Sequence, residues 1–171
     1  MEVLKYNWIT KKFTIAKDSS CLLRGVFIWV FHWDKIPHLG ISVDGKYFSS
    51  TIRGAQKNEH VEIYHRLVIS KQIPTFCIQV EACISRNILN ENFSSALIEN
   101  ETCLLPIKTV LGYNDENIQT LSDLIRRLKQ DQRLTRILTL LPAQSLSLNQ
   151  YSKSDVLQYI TKQKKNAVGK R

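Results

Sequence analysis

Four cysteines, at positions 21, 77, 83 and 103, and four histidines are the residues in this chain best suited to nucleophilic acyl chemistry. A thiol attacks a carbonyl as its thiolate, and a helix N-terminus or a nearby imidazolium favours that charged form. A histidine must then reach the sulfur, and a third polar group must orient its ring. Chain order is free, because only spatial proximity matters. Cys103 meets the first condition by position. It follows a residue able to cap, Thr102, and opens the predicted helix Cys103–Leu111, which Gly112 suits as a stop. Cys21, behind Ser-Ser in "DSSCLLRGVF", is the rival, but it runs within a few residues into the predicted strand Gly25–Phe31. Cys77 and Cys83 fall in mid-strand, gain no dipole and read as core filler.

His38 lies in "IPHLGISVDGKYFSS". Leu39, Ile41 and Val43 alternate with His38, Gly40 and Ser42, so the two sets point to opposite faces of a strand. Asp44-Gly45 is a strong two-residue hairpin signal, and "KYFSST" is the return strand. This register pairs Ile41 with Phe48 and Gly40 with Ser49, placing Ser49 and Thr51 on the His38 face. Gly40 leaves room there for close approach. Ser49 or Thr51 could accept from the imidazole N–H, and His60 or Glu62 would reach it only if a third strand packs beside His38.

The elements that must position these groups are read from periodicity. "GVFIWVF" is a short buried strand. "HVEIYHRLVIS" alternates and predicts another strand, and "TFCIQVEACI" a further one after a turn at 71–74. The chain to about residue 84 therefore predicts a meander of antiparallel strands. Beyond it, "TLSDLIRRLKQDQRLTRILTLLP" carries Leu121, Leu124, Ile125, Leu128, Leu134, Ile137, Leu138 and Leu141 at helical spacing, which predicts one helix over 120–142. Arg126, Arg127, Lys129, Arg133 and Arg136 decorate its other side. "SKSDVLQYITKQKK" predicts a second helix, capped by Ser152 or Ser154.

Composition bounds the function classes. The chain has 171 residues and a formal charge of +9, enough for one domain with a core and a modest extension. Residues 1–112 carry 13 Lys/Arg against 10 Asp/Glu, and residues 113–171 carry 11 against 5. The basic bias thus belongs to the C-terminal third, where it suits an anionic partner, either nucleic acid or a membrane surface. No Cys-x-x-Cys pair and no cysteine–histidine ligand spacing occur, and His60 and His65 stand five apart. No metal or cofactor is expected. The N-terminus lacks the apolar core and cleavage site of a signal peptide, and "GVFIWVF" is too short to span a bilayer, so a cytoplasmic setting is expected.

"HLGISVDGKYFS" resembles the histidine hairpin of the circularly permuted papain-like group, which includes NlpC-type and lecithin–retinol acyltransferase-like proteins. "ENETCLLPIKTVLG" resembles the later segment of that group, where the nucleophilic cysteine opens a helix. The likeness covers about residues 24–112, and Ser49 stands where relatives often carry a second histidine. It implies an α+β fold, an antiparallel meander or half-barrel packed on the nucleophile's helix (1–112); the basic amphipathic helices expected over 113–171 lie outside the likeness. It implies Cys103 as nucleophile and His38 as base, with Ser49, the nearest candidate on the hairpin register, expected to orient the ring. The reaction would be hydrolysis or acyl transfer at a peptide-like amide, thioester or ester. The alternative expectation is a non-catalytic module that binds nucleic acid, an anionic membrane or a partner protein through its C-terminal helices.

Overall fold

The computed structural model describes residues 13–94, 97, 101–142 and 148–168. The fold is α+β, and the described residues form a mixed seven-stranded sheet and five α-helices. The strands are β1 (Phe13–Ile15), β2 (Val26–Phe31), β3 (His38–Val43), β4 (Lys46–Thr51), β5 (Gly54–His60), β6 (Thr75–Val80) and β7 (Leu134–Thr139). The helices are α1 (Val61–Lys71), α2 (Arg86–Asn92), α3 (Leu104–Val110), α4 (Leu121–Gln130) and α5 (Lys153–Val168), with a 3₁₀ turn at Ser19–Leu22. Sheet order is β1-β7-β6-β2-β3-β4-β5, antiparallel except where β1 runs parallel to β7. No helix among the described residues is long and apolar enough to cross a membrane.

The β2–β3–β4 part of the meander forms as expected, and β5, which was not expected, adds a further antiparallel strand at its edge. Asp44 and Gly45 both adopt the left-handed backbone that their tight turn requires (φ 46° and 76°), and Ile41 pairs with Phe48. β6 departs from the meander. It returns to pair with β2, placing β2 near the middle of the sheet. All six residues of β2 are buried because both faces are covered, which is why "VFIWVF" reads as an unbroken apolar run. On one face Val26, Ile28, Val30, Leu39 and Ile41 meet the apolar sides of α2, α3 and α4. On the other, Phe27, Trp29, Phe31 and Tyr47 meet α1 and Leu22 of the 3₁₀ turn.

Four expectations need correction. Residues 61–71 are helix, not strand. Val61, Tyr64 and Val68 form the buried helical stripe, whereas Ile63, essential to an alternating pattern, is 46% exposed. The helix expected over 120–142 ends at Gln130. The chain reverses at Gln132 in the left-handed region (φ 57°), and Leu134–Thr139 pairs with β6. β7 sends Ile137 to one sheet face and Leu138 to the other, the period of a strand. Residues beyond 112 therefore join the common sheet, and Leu121, Leu124, Ile125 and Leu128 of α4 belong to the same core as β3. Cys83 is exposed rather than core, because β6 stops at Val80, while Cys77 is buried as expected.

α4 begins with a reciprocal capping box. The Asp123 N–H donates to Thr120 Oγ1, and Asp123 Oδ2 accepts from the Thr120 N–H at 2.9 Å. α3 ends at Gly112 (φ 81°), with the Tyr113 N–H returning to the Lys108 carbonyl.

Candidate functional site

His38 opens β3 opposite Phe31 of β2, and the two rings stack at 6.0 Å between centroids. It therefore stands on the aromatic face with Trp29, Tyr47 and Tyr64. Burial, followed by the nearby His32, pushes its imidazole down to about 4. The ring is neutral at pH 7.

The space above Gly40 is filled by a neighbour from β4. Tyr47 leans diagonally so that its hydroxyl lies over the Gly40 Cα, where an added Cβ would stand 2.1 Å from Oη. The Tyr47 ring meets Trp29 edge-on at 5.7 Å and lies 3.8 Å from Tyr64, and Trp29 donates through Nε1 to Ser42 Oγ at 2.9 Å. Tyr47 was missed in the sequence. The available signal was an aromatic residue diagonal to a mid-strand glycine.

Ser49, fully buried, donates to Gln56 Oε1 at 3.0 Å. Thr51 donates to the Gly54 carbonyl, His60 pairs with Lys46 Nζ at 2.9 Å, and Glu62 is exposed in the first turn of α1. None of these contacts involves His38, so no orienting partner is assembled around it from these four candidates.

Cys103 precedes α3, whose apolar residues Leu104, Ile107 and Val110 pack on the Leu39–Ile41 face. The helix brings the sulfur close to the Leu39 N–H, one residue along from His38. That N–H points toward β4 at a place where the ladder has already ended, since β3 and β4 pair only from Ile41 to Val43. The thiol is 7% exposed. Burial pushes it up to about 11, and the N–H groups of Leu39 and Cys103 oppose that rise. α3 is seven residues long, and its short dipole does not offset the burial.

Chain folding thus closes a 65-residue separation between Cys103 and β3, but strand alternation divides the pair. Leu39 faces the Cys103 cluster, and His38, its neighbour, faces the aromatic cluster. Cys103 and His38 thus belong to different side-chain clusters, and both groups are neutral.

Cys21, the rival, sits in the 3₁₀ turn and donates through Sγ to the Asp18 carbonyl at 3.3 Å, and burial raises its thiol as well. Among the described residues, no group of three or more His, Cys, Asp or Glu side chains could hold a metal ion.

The cationic residues also divide. Arg133 is partly buried and structural, donating through Nε to the Glu81 carbonyl and through Nη1 to the Leu111 carbonyl, and it lies 5.0 Å from the Tyr113 ring centre. Arg136 belongs to β7 and donates to Gln79 Oε1. Arg126, Arg127 and Lys129 remain on the outer face of α4. Comparison of the chain with protein-family models, with curated proteins and with solved structures found no match.

Proposed function

We propose that this chain is a binding module that takes the phosphate backbone of a nucleic acid on the outer face of α4 and the neighbouring lysines of α5. One observation carries the reading: α4 spends its entire apolar stripe on the core and presents Arg126, Arg127 and Lys129 to solvent. A helix that lies on a membrane needs a free apolar face, and α4 has none. Arginine forks suit phosphate oxygens. The pairs Arg126–Asp123 (3.3 Å) and Arg127–Asp131 (3.1 Å) are exposed and weak enough to be exchanged for phosphate contacts. Lys153, Lys162 and Lys165 extend the charge along α5.

Fluorescence anisotropy with a labelled oligonucleotide, repeated across a salt series, tests this. Binding should weaken steeply with salt, and Arg126→Ala with Arg127→Ala should reduce the log–log slope by about 1 to 2. Absence of binding at low salt, or capture only on anionic vesicles, overturns it.

A second reading is favoured by the position of Cys103 at the start of α3, which packs on β3 beside Leu39. It is thiol acyl transfer in a permuted papain-like fold, in the cytoplasm, on an amide, thioester or ester. His38 would take the Cys103 proton, and the thiolate would add to the carbonyl with the Cys103 N–H beside the oxyanion. Ser49 would orient the ring. The His38 ring would have to leave Phe31 for the β3–β4 seam. Iodoacetamide labelling at neutral pH separates the readings. Thiol chemistry requires Cys103 to react fastest, and His38→Ala to slow it. The binding reading expects exposed Cys83 to react first and Cys103 to lag with Cys77.

A further inference from the structure

Helix α5 lays one side on the core through Val156 and Ile160 and turns the other to solvent. A cleft separates its start from α4. Ser152 and Asp155 line that cleft from one side, Arg126 and Lys129 from the other. Asp155, Tyr159 and Lys162 follow one another at i, i+4 and i+7, so they form a stripe that leads away from the cleft along the outer side of α5. Tyr159 is 39% exposed, and among the described residues its side chain has no ring contact and no hydrogen bond. Lys162 and Lys165 are exposed one and two turns further on, and among the described residues their ammonium groups are in no ion pair or hydrogen bond. Their charge is available without breaking a contact. Asp155, the only carboxylate of α5, is engaged at the helix start, where its Oδ2 accepts from the Ser152 N–H at 2.7 Å and O–H at 2.8 Å.

We infer that this stripe is a stacking platform for an unpaired base, so that the nucleic acid taken by this surface is single-stranded. The base lies on the Tyr159 ring, and the flanking phosphates meet Lys162 and Lys165. The inference rests on the nucleic-acid reading above and adds the strand class to it. In a duplex each base face is covered by its neighbours, and a ring on the convex side of a helix meets only sugar and phosphate. In a single strand the bases splay, and each offers a face to an aromatic ring while its backbone follows nearby cations. Tyrosine suits this role because its rigid ring gives a large contact area and loses little freedom on stacking. A surface that acted through charge alone would show the opposite preference, since the duplex carries the greater charge density.

Fluorescence anisotropy of the full chain at low salt tests the inference by comparing a labelled mixed-sequence single strand with the same strand annealed to its complement. The single strand should bind more tightly, by about fivefold or more. Tyr159→Ala should weaken single-strand binding by about fivefold or more and leave duplex binding within about twofold. Tyr159→Phe, which keeps the ring, should match the parent. The log–log salt slope for the single strand should be unchanged in Tyr159→Ala and should fall by about 1 in Lys162→Ala combined with Lys165→Ala. These variants change exposed residues, and an unaltered melting temperature verifies that they fold. The inference is overturned if the duplex binds as tightly as the single strand, or if Tyr159→Ala binds the single strand like the parent. Either result, with steep salt dependence retained, removes the platform and leaves the nucleic-acid reading in place. Absence of binding to both oligonucleotides removes the two together.

Discussion

Replacing Gly40 by alanine places one methyl group where the structure has none to spare. The new Cβ would lie 2.1 Å from Tyr47 Oη, 2.4 Å from Cζ and 2.5 Å from Cε2. Ordinary contact needs about 3.4 Å or more, so the tyrosine ring must retreat by roughly 1 Å. It cannot do so freely. Tyr47 is 1% exposed and wedged among Trp29, Phe31 and Tyr64. Overpacking of this kind costs about 1–3 kcal/mol, and disturbing the aromatic pairs adds about 0.5–1.5 kcal/mol. The Gly→Ala change returns about 0.4–1 kcal/mol by restricting the unfolded chain. The net expectation is a loss of about 1–3 kcal/mol.

Urea unfolding followed by tryptophan fluorescence measures this loss as a lower midpoint at unchanged slope. The cause is isolated by repeating Gly40→Ala in a Tyr47→Leu background. There the methyl meets no ring, and the penalty should fall to within about 0.5 kcal/mol, giving a coupling energy near the original loss. Tyr47→Phe should rescue only in part, because the ring carbons stay too close. An unfolding free energy for Gly40→Ala within about 0.5 kcal/mol of the parent refutes the reasoning. So does an equal penalty in the Tyr47→Leu background, which would make the strand backbone, not the tyrosine, the obstacle.

Neutral, half-buried His38 makes stability depend on pH. Its imidazole falls from the ordinary 6.5 to about 4, so between those values the unfolded chain binds more protons and stability drops as pH falls. The loss reaches at most about 3 kcal/mol once pH is below 4. His38→Phe, which keeps the stack on Phe31, should remove that component, and unfolding curves between pH 7 and pH 4 would show the parent losing stability relative to the variant as pH falls. Thr120→Ala removes the side-chain half of the α4 capping box and should cost about 1 kcal/mol in the same assay, with Thr120→Ser restoring most of it. Arg133→Lys keeps the charge but not the geometry that reaches the Glu81 and Leu111 carbonyls. It should lower stability by about 1–2 kcal/mol while leaving oligonucleotide affinity within twofold, because this arginine is structural.

The fold was legible where two local signals agreed. Residues 38–51 alternate cleanly and carry Asp-Gly between the arms, so strand, turn and register all follow from neighbours in sequence. Residues 61–71 were illegible because two periods coexist there. Val61, Ile63 and His65 alternate while Val61, Tyr64 and Val68 step helically, and only the solvent on Ile63 decides between them. Leu134, Ile137 and Leu138 fit a helical stripe equally well, and the free edge of β6 overrides it by supplying a strand partner.

The candidate site divides along the same line. Helix α3 docks on β3, so the segments that carry the two distant motifs pack together. The missing datum was the face. Alternation along β3 assigns Leu39 and Ile41 to one side and His38 and Gly40 to the other, but it does not say which side receives α3. β2, apolar on both faces, gives no preference. Tyr47 supplies one. By lying across Gly40 and against Tyr64 it closes the His38 face with aromatic rings and α1, leaving Leu39 and Ile41 as the apolar surface for Leu104 and Ile107. A helix that buries those residues brings Cys103 with it. The tyrosine that occupies the space above Gly40 thereby helps to decide which face of β3 receives α3.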